Sequence, residues 1–305
     1  MTKSNSYTNF RYRILYGIAY LHSLLPFALL YIISDILFFL VYHVARYRRK
    51  LVLQNIRNSF PEKSESEIAS ISKQFYHHLC DYFVETIKTL SISDEEVMRR
   101  MKFENPELIN RLTAEGQSCI LSLGHFANWE WVPSIGLYLS ENVSQGLMYK
   151  KLHSETFDRL FLKIRSRFKP IPIEMNSVYR KMINAQKKGE TLVVGFLTDQ
   201  RPPQHMPGYW TTFLNQDTKL QIGMERIATK LGCSIVYLDI QKTKRGYYEG
   251  KFFLITPDAS LEEKNDIMER YAQKLEETIN RQPAYYLWSH NRWKYKKESD
   301  EAVRT

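Results

Sequence analysis

Cysteine is scarce in this 305-residue chain, and the three present, Cys80, Cys119 and Cys233, are odd in number and far apart. Without CxxC spacing they supply neither a disulfide framework nor a structural zinc site. Buried thiols in a reducing compartment are the expectation, and Cys119 and Cys233 each sit in a short apolar run. Carboxylates are also in deficit, with 33 Asp and Glu against 43 Lys and Arg, a net charge of +10. That balance favours acidic partners: anionic headgroups, nucleic acid or an acidic carrier protein. No nucleic-acid-binding motif accompanies the charge, so nucleic acid is not an expected partner. The chain has no GxSxG elbow, no internal repeat and no low-complexity linker. Aromatics are plentiful instead, 13% of residues with 20 Tyr, which suits an interface between apolar matter and water.

Only one long hydrophobic stretch occurs, residues 14–44, and Pro26 divides it, predicting a helix break there. Phe27 to Val44 approaches the roughly 20 apolar residues that a bilayer core requires. Asp35 stands in its middle, where a charge costs on the order of 3 kcal/mol unless it is paired or faces protein or water. The run is too long for a cleavable leader, and no small-residue cleavage site comes after it. Directly beyond it, Arg46-Tyr47-Arg48-Arg49-Lys50 forms a cluster suited to anionic cytoplasmic headgroups. Lys3, Arg11 and Arg13 put positive charge on the other flank as well, so charge does not set the orientation. A spanning helix and an in-plane pair with both ends cytoplasmic both remain open. The apolar content is too dense for the buried amphipathic helix of a soluble domain, so membrane attachment is expected. Residues 1–48 read as the anchor and 49–305 as one folded domain.

Within that domain, Ser64 to Leu90 has helical spacing, with Ile68, Ile71, Phe75, Leu79, Phe83 and Ile87 as the inward positions. His77 and His78, near Cys80 and Asp81, diverge on such a helix and lack a second ligand cluster, so no metal is expected. Apolar runs at Ser118 to Leu123, Gln145 to Tyr149, Thr191 to Leu197 and Ser234 to Ile240 read as strands. Asn128 to Leu139, Ser154 to Arg167, Val178 to Lys188, Lys219 to Leu231 and Leu261 to Asn280 read as helices. The alternation predicts an α/β fold, with a largely parallel central sheet flanked by helices and a hydrophobic helical anchor ahead of it. Tyr247 to Ile255 reads as a further strand, antiparallel after the Lys244-Arg245-Gly246 turn. Ligands in such sheets gather at the carboxyl ends of strands, which singles out the loops after Leu123, Tyr149 and Leu197.

The first of those loops carries His125 directly after a buried strand and Gly124, with Glu130 five positions on. On one continuous helix that spacing puts the two on different faces. With His125 in the loop and Glu130 in the first turns of the following helix they can meet, and the carboxylate would fix the imidazole tautomer. With no elbow nucleophile, the pair suits direct attack by an activated hydroxyl on an already reactive acyl donor.

Gly124-His125-Phe126-Ala127-Asn128-Trp129-Glu130 resembles the H-x4-D/E motif of the lysophospholipid acyltransferase superfamily. In its His-Phe start and glutamate it is similar to the lipid A late acyltransferases of Gram-negative bacteria. The likeness spans nearly the whole chain: the hydrophobic amino-terminal segment, Asn55-Ile56-Arg57-Asn58-Ser59-Phe60-Pro61, Thr198-Asp199-Gln200 with Phe213 beyond, and Tyr286-Leu287-Trp288-Ser289-His290-Asn291-Arg292-Trp293-Lys294. Two blocks depart from the family pattern. Tyr149-Lys150-Lys151 stands where Tyr-Arg-Pro is usual, losing the bidentate fork of Arg, and Thr198 replaces a proline.

The resemblance implies acyl transfer from an acyl carrier protein thioester, occasionally coenzyme A, to a hydroxyl of a lipid A precursor, with no cofactor and no metal. It further implies His125 as general base with Glu130 orienting it, and a bacterial inner-membrane location with the catalytic domain on the cytoplasmic side. Amides at the start of the Asn128 helix are the expected oxyanion donors. Lys150 is the expected phosphate contact, Asp199 and Gln200 position the acceptor, and Asn128 and Phe213 complete the expected substrate-binding set. Another hydroxylated lipid, glycerophospholipid or aminolipid, is the alternative acceptor, and a non-catalytic lipid-binding role is the alternative class.

Overall fold

Pro26 separates two helices as its missing N–H requires. Helix α1 (Lys3–Leu24) ends before it and α2 (Phe27–Phe38) starts directly after, continuing through a π-helical turn at Phe39–Val44. The structure, a computed structural model, describes residues 3–297, with side chains from Asn9 onward. Residues 1–2 and 298–305 of the two expected segments, and the Lys3 side chain, lie outside the described part. Phe27–Val44 is long and apolar enough to cross a bilayer, with a mean hydropathy of 2.1.

A short α3 (Arg49–Ser59) leads to α4 (Glu65–Lys88). A reciprocal cap starts α4: the Glu67 amide donates to Ser64 Oγ, and the Ser64 amide donates to Glu67 Oε2 at 2.9 Å. Ile68, Ile71, Phe75 and Leu79 are buried as their spacing predicts, whereas Phe83 is half exposed. From Phe75 on, α4 is covered on two sides, which brings Asp81 and Glu85 into the interior as well.

The remaining elements alternate. After α5 (Asp94–Arg100) come β1 (Met101–Phe103), α6 (Glu107–Ala114) and β2 (Cys119–Leu123). A 3-10 helix (Trp129–Leu137), β3 (Val143–Tyr149), α7 (Glu155–Arg165), β4 (Ile171–Glu174) and α8 (Val178–Lys187) come next. Then β5 (Thr191–Leu197) precedes a hairpin of β6 (Tyr209–Phe213) and β7 (Gln216–Leu220). Helix α9 (Gly223–Leu231), β8 (Ser234–Lys244), β9 (Tyr247–Thr256) and α10 (Asp266–Arg281) complete the order. Seven strands form one sheet in the order β1-β9-β8-β2-β5-β3-β4. All neighbours are parallel except β8 and β9, which pair antiparallel through the turn at Gly246, as expected.

Two expected helices differ. The segment after Asn128 is a 3-10 helix because Pro133 lies inside it, withholding an amide and crowding the carbonyl four residues back that an α-turn needs. Lys219 and Leu220 belong to β7, not to a helix. Leu214 and Asn215, with φ of 51° and 59°, make the tight turn of that hairpin, a geometry the apolar spacing conceals.

Strand β2 sits mid-sheet between β8 and β5, and its five residues are all buried. Gly124 lies just past it in direct contact with α10: a Cβ there would lie 2.5 Å from Leu275 Cδ1. Gly124→Ala is therefore expected to lower stability by about 1–3 kcal/mol through overpacking, read as a shift in denaturant midpoint at unchanged slope.

Candidate active site

Parallel pairing of β2 with β5 sets Leu123 opposite Leu197. His125 and Asp199 each lie two residues beyond those partners, so the register alone brings them side by side. His125 Nδ1 donates to Asp199 Oδ1 at 2.6 Å. Asp199 is 2% exposed. Burial would raise its pKa, but His125 and the nearby Arg292 cation outweigh this and hold it down to about 2. An ionised carboxylate only accepts, so the imidazole proton resides on Nδ1 and Nε2 carries the lone pair. Gln200 meets that nitrogen, its amide Nε2 donating at 3.2 Å.

The loop that holds His125 is strapped from behind. The Leu287 amide donates to the His125 carbonyl at 3.1 Å, and the Ala127 amide donates to the Tyr285 carbonyl at 2.9 Å. Ala127 takes a φ of 52°, a left-handed conformation disfavoured for a side chain, and its carbonyl accepts from His78 Nε2 at 3.1 Å. His78 in turn faces Lys242 through Nδ1, at 3.3 Å. These residues thus brace a turn. Asn55 ties its own segment to the Tyr286–Lys294 block, its amide donating to the carbonyls of Trp288 at 2.9 Å and His290 at 3.1 Å.

The carboxylate on His125 belongs to Asp199, which corrects the expectation that Glu130 orients the imidazole. Glu130 is buried and forked by the Arg165 guanidinium, with Nε donating to Oε2 at 2.9 Å and Nη2 to Oε1 at 2.5 Å. No hydrogen bond joins His125 to Glu130 among the described residues. The physical reason is the reversal at Ala127 and the 3-10 winding after it, which turn Glu130 toward α7. The two are linked only through rings: Trp129 lies 5.3 Å from the His125 ring and 4.2 Å from that of Tyr82, whose hydroxyl is 3.5 Å from Glu130 Oε1.

The other expected substrate contacts divide. Asp199 and Gln200 sit at the histidine. Lys150 lies exposed just past the end of β3, free of ion pairs among the described residues. Asn128 and Phe213 do not face an opening, since both are fully buried. Asn128 donates to Glu85 Oε2 at 2.7 Å, anchoring the turn to α4, while Phe213 packs under the Arg292 guanidinium, 5.0 Å from its carbon. Their burial makes these two supports of the turn and the hairpin, although Asn128 Oδ1 has no hydrogen-bond partner among the described residues.

Arg165 carries no local signal that marks it as a site residue, while His290 and Arg292 lie in the family-like block Tyr286–Lys294, which by itself gives neither a role. Arg292 is 4% exposed, and its three guanidinium nitrogens have no hydrogen-bond partner among the described residues. It acts on Asp199 through charge. His290 accepts from the Arg201 amide at 3.4 Å, and burial with the Arg292 and Arg201 cations pushes its pKa down to about 4, against the pull of Asp199. A histidine held neutral in the fold costs stability once the unfolded chain can take up its proton. Stability is therefore expected to fall as pH drops from about 6.5 toward 4, and His290→Gln should flatten that slope in thermal melts.

A buried carboxylate and a histidine with a fixed tautomer, whose second nitrogen is met by a neutral amide, can remove a proton from an incoming hydroxyl. No individual curated protein matches the chain at a significant level. A family model does, over residues 2–295, and the chain belongs to the bacterial lipid A biosynthesis acyltransferase family.

Proposed function

We propose that this acyltransferase moves a fatty acyl chain from an acyl carrier protein thioester to a hydroxyl of a lipid A precursor, with His125 as general base and no covalent enzyme intermediate. The observation that carries the proposal is the His125 ring itself, with Nδ1 committed to Asp199 at 2.6 Å and Nε2 held only by a neutral amide. The acceptor hydroxyl displaces Gln200 and gives its proton to Nε2 while its oxygen attacks the thioester carbonyl carbon. The carbon–sulfur bond then breaks, and the departing thiolate recovers the proton from His125. Asp199 stabilises the imidazolium that forms between these steps. The thioester supplies the reactivity, so the proposal asks for no metal or redox cofactor.

Oxyanion stabilisation would fall to the amides that open the 3-10 helix, since those of Phe126 and Ala127 already donate to the carbonyls of Gly124 and Tyr285. Glu130 and Arg165 form an ion pair that reaches Trp129 through the Tyr82 ring. Lys150 is the proposed phosphate contact. The net charge of +10 suits both an acidic carrier protein and an anionic leaflet. We place the protein at the bacterial inner membrane with this site on the cytoplasmic side, where thioester donors are made.

The test supplies membranes containing the protein with acyl carrier protein thioesters or acyl-coenzyme A and a panel of lipids, read by mass spectrometry. Gain of one acyl group on the glucosamine disaccharide precursor is expected. Gain only on a glycerolipid or aminolipid would reassign the acceptor, and no transfer from any thioester would remove the reading.

A further inference from the structure

The exposed apolar surface of α2 poses a question of geometry, because the opposite side of the same helix is part of the interior. Tyr31 donates to Glu85 Oε1 at 3.1 Å and Ser34 to Asp81 Oδ1 at 2.7 Å. Phe38 stacks on the His77 ring, and Tyr42 meets Tyr76 at 5.4 Å between centroids. As α2 advances from 31 to 42, its partners on α4 retreat from 85 to 76. The two helices therefore lie antiparallel and in contact over most of α2, and Phe38 and Tyr42 belong to the main hydrophobic core. Arg245, on the β8–β9 turn, clamps the pair by bonding Asp81 and also Asp35, the latter at 2.6 Å.

We propose that α2 lies along the bilayer surface, packed lengthwise on α4, with its outer stripe seated in an anionic leaflet, and does not cross the membrane. The inference rests on the membrane attachment in the proposed function but not on the acyl-transfer chemistry. From Tyr31 to Val44 the helix covers about 20 Å at roughly 1.5 Å per residue. Were that length upright in the bilayer, α4 would be drawn in beside it, together with Asp81, Glu85, His78 and their partners Lys242 and Arg245. Each ionised group sunk in hydrocarbon costs on the order of 3 kcal/mol or more. Separating the helices instead would strip the cover from Asp81 and from the core at Phe38 and Tyr42.

Lying flat avoids both costs. Leu29, Ile32, Ile36, Phe39, Leu40 and Val44 are all exposed and recur at helical spacing, forming one outward stripe. Asp35 sits at its edge, half exposed and neutralised by Arg245, as an interfacial carboxylate can be. The charge complements an anionic surface: Arg11 and Arg13 lie exposed along α1, and Arg46 and Lys50 lie exposed just past the π-turn. Helix α1 rests on α7, where Arg159 donates to Asn9 at 2.6 Å.

Nitroxide labels on the full-length protein at Leu29→Cys, Ile36→Cys and Val44→Cys test the geometry, since the three native cysteines are buried. In phosphatidylethanolamine–phosphatidylglycerol vesicles, oxygen and nickel-chelate accessibilities should report the same shallow depth at all three positions. A depth maximum at Ile36 with the two ends at opposite faces would overturn the proposal. So would equal binding to vesicles of phosphatidylcholine alone, where a loss of at least tenfold is expected. Neither readout depends on activity, so a failed transfer assay and a failed depth series remain separate results.

Discussion

Replacing Asp199 by Asn is expected to cut turnover by roughly a hundredfold to ten-thousandfold while KM changes little. An Asn side chain is nearly isosteric but neutral, and it can present either a carbonyl or an amide to His125 Nδ1. With the amide inward, the imidazole takes the opposite tautomer and the lone pair at Nε2 is lost. With the carbonyl inward, the tautomer survives but the imidazolium formed during attack has no counter-charge. Both outcomes lower kcat, because the interaction matters most when the histidine is charged. His125→Ala should fall at least as far. Circular dichroism and thermal melts separate this from unfolding, and near-normal turnover in a folded Asp199→Asn variant would remove Asp199 from the mechanism.

The second large effect is expected on stability. Arg165→Met leaves the Glu130 carboxylate, itself 4% exposed, without its cation. Breaking a buried pair from one side costs about 3–5 kcal/mol, and the partial exposure of Arg165, 26% of its side chain, places this case at the lower end. Replacing both partners, as in Arg165→Met with Glu130→Gln, should recover much of that loss because no buried charge remains. A denaturation double-mutant cycle reads the coupling directly. Additive single effects would show that the pair contributes no stability of its own. Turnover should fall in Arg165→Met, Glu130→Gln and the double variant, since Tyr82, which joins Glu130 to Trp129 beside His125, loses its fixed partner.

The strands at Cys119–Leu123 and Thr191–Leu197, and the first seven residues of Ser234–Lys244, can be read from apolar runs because buried parallel strands are apolar on both faces. The break at Pro26 and the cap at Ser64 are equally local and equally legible. The partner of His125 is not, because Asp199 is 74 positions away and two strands, β3 and β4, intervene in sequence before β5 returns beside β2. Adjacency in a sheet is a tertiary fact that no local window contains. A faint signal does exist: His125 and Asp199 occupy the same offset past their strands. Glu130 misleads because its spacing from His125 says nothing of Pro133, which sets the winding of the segment it starts. For Arg165, nothing local separates it from Lys163 or Arg167; only the position of α7 against the 3-10 helix selects it.

Gln200 gives the resting site an unusual starting condition. The basic nitrogen of His125 is already bonded to its amide at 3.2 Å, so the protein arrives with its base engaged. A water molecule must compete with that amide for a single hydrogen bond, whereas the proposed lipid acceptor would bring the binding energy of its whole headgroup and chains. Under the proposed mechanism, a bound thioester would lose little to hydrolysis until an acceptor hydroxyl displaced that amide.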